Sequence, residues 1–492
     1  MPIPNLYGED PTWDEVSERL GRQSLGQVLD VVAKASVVLD KLEAWKSFDG
    51  QNLLIGGLFG EQSAEVRQTL ARWWRQQSQE ERPRHLVLFH ELQIINTVKI
   101  ALLTIPPDAS PHDGAFDALG EALLMVNDLI GRGDENELTS ADPSTPEGMR
   151  RWHQYLLMNG LFHTGDNRQH ALARGYDLYL SDRLHLRDCG SYVDLPALVE
   201  ELTGFSPDLL WMMLFSLYAH WGRIDLKNVD RASGAIDMDT YFTGKLRFSR
   251  EEVDRFFSLV AVDAGAMRGK LLEAGFGPES LRPFEILPFE DKPLIIVDRR
   301  AYCISVRLLL RKMTRGLHYI FLNRIEDEAE RQRYLTYMGV VFGDYVDGVL
   351  KRAYPPLTRR YVDERTLKER APEGAKVCDG VLIYPDVAVL IESKATLFTA
   401  AVRAAGDWGQ YEAKIKDIFV DAAEQIEDTV QQIEAGRFVD LGLDPARLRV
   451  YLPLVVTLED VPVIKPVYEK ICEEIEQNGL FQHSKIRALQ AI

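Results

Sequence analysis

Residues 376–397 read KVCDGVLIYPDVAVLIESKATL. Two apolar runs flank Tyr384, Pro385 and Asp386; Asp379 opens the first run, and Glu392, Ser393 and Lys394 close the second. Folded as a hairpin with Pro385 and Asp386 in the loop, the stretch sets Tyr384 against Val387 and Asp379 against Glu392. Directly opposed side chains in an antiparallel pair have Cβ atoms about 4.5–5.5 Å apart. Lys394 lies two residues from Glu392 and shares its face. Two carboxylates and one ammonium then converge on one spot. Asp379 and Glu392, with the backbone carbonyl of Ser393, can hold Mg²⁺, which prefers oxygen ligands and keeps several waters; Mn²⁺ can take its place. Such a cation polarises a phosphate and acidifies a bound water. Lys394 can orient that water or stabilise charge developing on phosphorus. The chemistry expected is hydrolysis of a phosphodiester.

The neighbouring elements must position these groups. Val387 to Ile391 is a continuous apolar run, as in a strand buried on both faces, and charges at the end of such a strand need partners or a metal. Pro385 and Asp386 fall in the turn, where Pro is ordinary, and carry no chemistry. Residues 326–352 predict a long helix, with Tyr334, Met338, Phe342, Tyr345 and Val349 on one stripe. Residues 410–434 predict a second, with Tyr411, Ile415, Ile418, Ala422, Ile426 and Ile433 on its stripe. A strand over 449–458 and a helix over 464–478 complete the order.

Asp379 followed by Glu392-x-Lys394 resembles the signature of the PD-(D/E)xK, or restriction-endonuclease-like, nuclease superfamily, over about the C-terminal third of the chain. The resemblance implies an αβ core with catalytic Asp379, Glu392 and Lys394, a cation on Asp379, Glu392 and the Ser393 carbonyl, and nucleic acid as substrate, DNA before RNA. It also implies supporting roles for Asp344 and Gln425. Gly343-Asp344-Tyr345 is similar to a Gly-Glu-aromatic segment on the first core helix, with Asp for Glu. Gln425 matches a Gln that a subset of the family carries, although the Tyr usual four residues later is Thr429. A solvated helix acid and an edge-of-core glutamine are the plain alternatives for these two residues.

The remaining sequence bounds the reading. A chain of 492 residues should form two or more domains. Its net charge of −18 argues against a general nucleic-acid coat, but two segments are locally basic. Residues 298–315 hold six Arg or Lys against one Asp, and residues 351–376 hold eight against four acids. Arg299, Arg300, Arg359 and Arg360 are the candidates for phosphate contacts; solvated faces are the alternative. The most apolar stretch, Leu209 to Trp221, is too short to span a bilayer, and the first residues lack signal-peptide regions. Cys189, Cys303, Cys378 and Cys472 are scattered, as in reduced cytoplasmic proteins, and Cys378 suits a small buried hydrophobe.

Amphipathic helices are expected over about 13–46, 61–80, 84–104, 115–132, 146–160, 167–183, 206–222 and 249–275, with Ser249 and Glu252 as a capping box. Loops are expected at 105–114 and 133–148. His153, His163 and His170 lack carboxylates at ligand spacing. His85, His90 and Glu91 do not make a zinc-protease motif, and Trp73, Trp74 and Trp211 suit a core. Strand-like runs at Pro293–Val297 and Ala301–Ser305 mark a boundary. The fold expected is α+β: a mainly α-helical region over 1–280 for targeting, regulation or assembly, a strand-rich connecting segment over 281–324, and over 325–492 a restriction-endonuclease-like core with a central mixed sheet. A homodimer or higher homo-oligomer, and a partner protein bound through the N-terminal helices, would fit a controlled nuclease in prokaryotic defence or DNA processing. The rival is a non-enzymatic scaffold with a degenerate nuclease-like domain.

Overall fold

The computed structural model describes residues 11–42, 48–59, 87–106, 117–130, 144–163, 168–229, 231–243, 248–355, 360–396, 407–459 and 465–491, with a few isolated positions between them. Trp73, Trp74, His85, Arg359, most of the expected helix at 61–80, much of both expected loops and the side chain of His163 lie outside the described residues. The protein is α+β, with helices dominant and two small mixed sheets. It forms two compact units. Unit 1 contains residues 1–140, 167–180 and 196–324; unit 2 contains 141–166, 181–195 and 325–492. The strand-rich segment 281–324 thus belongs to unit 1, and two stretches of the N-terminal half belong to the unit that holds the hairpin.

Unit 1 carries a four-stranded sheet of β1 (Ala235–Asp237), β2 (Ala261–Asp263), β3 (Leu294–Val297) and β4 (Arg300–Cys303), in the order β1-β4-β3-β2. β3 and β4 are antiparallel, and Asp298 and Arg299 join them with φ of 49° and 61°, as a primed two-residue turn requires. Helix Glu91–Thr104 is buried from Leu92 to Leu102. Its polar side chains bond internally: Gln93 to the Leu123 carbonyl at 2.6 Å and Lys99 to the Arg282 carbonyl at 2.8 Å. The expected helix over 13–46 is two helices, Trp13–Gly21 and Leu25–Lys41, because Ser24 and Gln27 cap a fresh start. The helix expected over 249–275 starts at the Ser249–Glu252 capping box but breaks at β2, where Asp263 caps a new helix.

Unit 2 is built on a five-stranded sheet: β5 (Tyr361–Asp363), β6 (Gly380–Ile383), β7 (Val387–Lys394), β8 (Val450–Thr457) and β9 (Gln490–Ala491), in sequence order. β5, β6 and β7 are antiparallel; β8 and β9 add in parallel. Its main helices are α1 (Pro146–His163), α2 (Glu328–Ala353), α3 (Trp408–Glu434) and α4 (Lys465–Gln477). Ile426, Val430 and Ile433 of α3 pack with Ala388 and Leu390 of β7. Gly343 of α2 approaches Ser393, whose Oγ would lie 3.7 Å from an added Cβ. Because residues alternate along a strand, α3 covers the even-numbered face of β7 and α2 the face of Ser393. Glu392 and Lys394 share the face that α3 covers.

Candidate active site

The hairpin has the register set by its two-residue loop. Gly380 pairs with Ile391 and Ile383 with Ala388, and Tyr384 N–H donates to the Val387 carbonyl at 2.8 Å. Pro385 and Asp386 form the loop without the positive φ of a primed turn. Instead the Asp386 carbonyl accepts from the N–H groups of Arg449 and Val450 at 2.8 and 3.2 Å, which pins the loop to the start of β8. The same register carries Asp379, one residue before β6, opposite Glu392.

Glu392 and Lys394 meet on one face as their spacing predicts, whereas Asp379 turns its carboxylate to Ser393. Lys394 Nζ lies 3.1 Å from Glu392 Oε1 and donates to Gln425 Oε1 at 2.8 Å. Asp379 Oδ2 accepts from the Ser393 N–H at 2.7 Å and from the Ser393 hydroxyl. Glu392 is 3% exposed, and its Oε2 has no hydrogen-bond partner among the described residues. Burial and the charge of Asp379 push its carboxyl up to about 8, against the pull of Lys394 and, more weakly, of the Asp379 backbone N–H. A buried acid with one oxygen left over is costly unless a further partner occupies it.

Supporting residues complete the cradle. Cys378 is fully buried, its N–H donates to Thr429 Oγ1 at 2.8 Å, and burial pushes its thiol up to about 12. The Tyr361 ring lies over Gly380, and its hydroxyl donates to Asp347 Oδ1 at 3.0 Å. Burial first, then Asp347 and more weakly Asp379, raise the Tyr361 phenol. Lys351 ties Asp347 to Asp363, at 2.8 and 2.7 Å. Asp347 is one turn from Gly343, so it shares the helix face turned to the sheet. Sequence reading missed it; only that spacing could have signalled it. Asp344 instead gives its carboxylate to buried Arg183 and, at 2.8 Å, to His185.

Gly380→Ala should be damaging. A Cβ there would stand 2.6 Å from the Tyr361 ring, and Tyr361 is tethered at both ends. Overpacking of this kind costs about 1–3 kcal/mol. The expected result is a lower melting temperature, and Tyr361→Ala in the same chain should restore part of the stability. An unchanged melting temperature would contradict this packing.

The proposed phosphate contacts divide. Arg299 belongs to unit 1, where its guanidinium binds Asp239 and Asp254 at 2.7 and 2.8 Å; Arg300, also in unit 1, is exposed. The rest of that basic segment is turned inward. Arg311 pairs with Glu290 at 3.0 Å, Lys312 with Asp291 at 2.9 Å, and Arg307 with Glu91 at 3.2 Å. In unit 2, exposed Arg360 uses its carbonyl to accept from Ile383 N–H, at the turn end of β6, away from Asp379. Of the histidines, His153 packs on Trp408 with ring centres 4.6 Å apart, and His90 caps helix Glu91–Thr104. All four cysteines are free thiols. Among the described residues no three His, Cys, Asp or Glu side chains form a ready metal cluster, and no helix is long and apolar enough to cross a membrane. No protein-family model, curated protein or solved structure matches the chain.

Proposed function

We propose that unit 2 is a restriction-endonuclease-like nuclease domain that hydrolyses phosphodiester bonds of nucleic acid, DNA before RNA, with Mg²⁺. The observation that carries this reading is the buried Glu392 carboxylate, with one oxygen on Lys394 and the other unpartnered beside Asp379. Two carboxylates and a strand carbonyl suit Mg²⁺, which takes few protein ligands and retains water. Asp379, Glu392 and the Ser393 carbonyl would hold it. In an antiparallel strand one residue points its N–H and C=O to the same side, so the Ser393 carbonyl faces the side of Asp379. The cation would supply Lewis-acid polarisation of the phosphate and a more acidic water.

The chain's own groups do the rest. Gln425 and Glu392 hold the Lys394 ammonium between them, so its position is fixed before substrate arrives. A fixed cation stabilises charge on a phosphate without reorganising. Asp379 is fixed by Ser393 and leaves Oδ1 without a hydrogen bond among the described residues. Unit 1 is assigned targeting or assembly. The test is to incubate the pure protein with plasmid, linear duplex, single-stranded DNA and RNA, with Mg²⁺, Mn²⁺ or chelator. Cleavage that needs the cation supports the reading; no cleavage of any substrate with either cation contradicts it.

The raised Glu392 carboxyl gives a pH prediction. Its folded value, about 8, lies above the ordinary 4.5. Its contribution to stability is therefore complete below about 4.5 and is lost as pH rises through about 8. Added Mg²⁺ must displace that proton, so it should raise the melting temperature more at pH 8 than at pH 6. Glu392→Gln should abolish that difference. A wild-type response to Mg²⁺ that is equal at both pH values would contradict the assignment.

A further inference from the structure

We propose that Thr429 is the positioning residue that seats Asp379, an inference resting on the nuclease reading above. The β6–β7 register makes Cys378 and Ser393 the next pair that would exchange ladder hydrogen bonds after Gly380 and Ile391. That exchange does not occur. The Ser393 N–H goes to the Asp379 carboxylate at 2.7 Å, and the Cys378 N–H goes to Thr429 Oγ1 at 2.8 Å. Thr429 is fully buried on α3, and its hydroxyl proton is committed to the Gln425 carbonyl at 2.8 Å. Its lone pair is thus presented to Cys378 in one orientation.

Thr429 draws the chain out of the ladder one residue before Asp379. The Ser393 N–H is left to the Asp379 side chain, and the carboxylate is held on Ser393, the residue that follows Glu392. Without that hydroxyl, Cys378 N–H would be buried and unpaired, a state backbone groups avoid. Re-pairing with the Ser393 carbonyl would restore it, but would remove that carbonyl as a cation ligand and crowd the Asp379 carboxylate off the Ser393 N–H. The same turn of α3 carries Gln425, which holds Lys394, so one helical turn seats groups on both strands.

The test compares wild type, Thr429→Val and Thr429→Ser as full-length chains. Mn²⁺ affinity is read by electron paramagnetic resonance, and kcat and KM on a duplex substrate. Support residues of this kind change affinity or rate by about 10–100-fold. Thr429→Val is expected to bind Mn²⁺ at least about tenfold more weakly and to lose kcat with little change in KM. Thr429→Ser, which keeps the hydroxyl, should recover most of both. A Thr429→Val protein that melts earlier yet binds Mn²⁺ and cuts like wild type overturns the role of Thr429 and leaves the nuclease reading standing. Wild-type protein that neither binds Mn²⁺ nor cuts overturns both.

Discussion

Asp379→Ala, Glu392→Gln and Lys394→Ala are each expected to reduce Mg²⁺-dependent cleavage by at least about a hundredfold, the scale seen when one preorganised charge or donor is removed from a transition-state site. The mechanisms differ. Asp379→Ala removes a proposed cation ligand and the acceptor for Ser393 N–H. Glu392→Gln keeps shape and burial but lowers ligand charge. Lys394→Ala leaves Glu392 Oε1 without its ammonium. Asp386→Ala, in the loop with only its carbonyl engaged, should cut like wild type and serves as the control. Single-turnover rates on a labelled duplex measure all four. Full activity in any of the three site variants would remove that residue from the chemistry.

Glu290→Ala is expected to destabilise unit 1 by about 3–5 kcal/mol, because one partner of a buried ion pair is removed while the other charge stays. Glu290 serves two guanidinium groups, Arg311 at 3.0 Å and Arg315 at 3.5 Å. Burial already drives the Arg311 guanidinium down to about 9, and deleting its acid would leave it with less support. Thermal unfolding should fall by roughly 10 °C. Replacing the pair together, Glu290→Leu with Arg311→Met, should recover much of the loss, since apolar pairs of similar volume often match buried ion pairs. If Glu290→Ala melts with wild type but weakens nucleic-acid binding, the segment serves a ligand and not the core.

These two sites mark what the sequence could and could not disclose. The hairpin was legible because its signals are local: two apolar runs, a two-residue loop, and Glu392 and Lys394, whose separation puts them on one face. Once Tyr384 opposes Val387, Asp379 must oppose Glu392. The basic segment at 298–315 was not legible, because its meaning depends on distant acids. Arg307 finds Glu91, far earlier in the chain, and Lys312 finds Asp291 across a strand pair. Counting charge within a window cannot distinguish such pairs from a phosphate-binding face.

The long helices were found within a few residues, but their azimuth was not. The Gly343-Asp344-Tyr345 match drew attention to Asp344. Successive residues turn by about 100° around a helix, so the face carrying Gly343 next presents Asp347, which holds Tyr361 over Gly380. Asp344 turns to Arg183 and His185, in a stretch more than 150 residues away by the spans of those bonds. Thr429 drew notice only as a Thr in place of a Tyr. Its partner is a backbone N–H, which carries no residue signature.

The central claim is that Asp379 and the unpartnered oxygen of Glu392 form one divalent-cation site. Titration of Mn²⁺ into wild type and Glu392→Gln at pH 8, followed by electron paramagnetic resonance, tests it most directly. The predicted result is saturable binding in wild type, at least about tenfold weaker in Glu392→Gln. Absence of saturable binding in wild type, or equal affinity in both proteins, would contradict it.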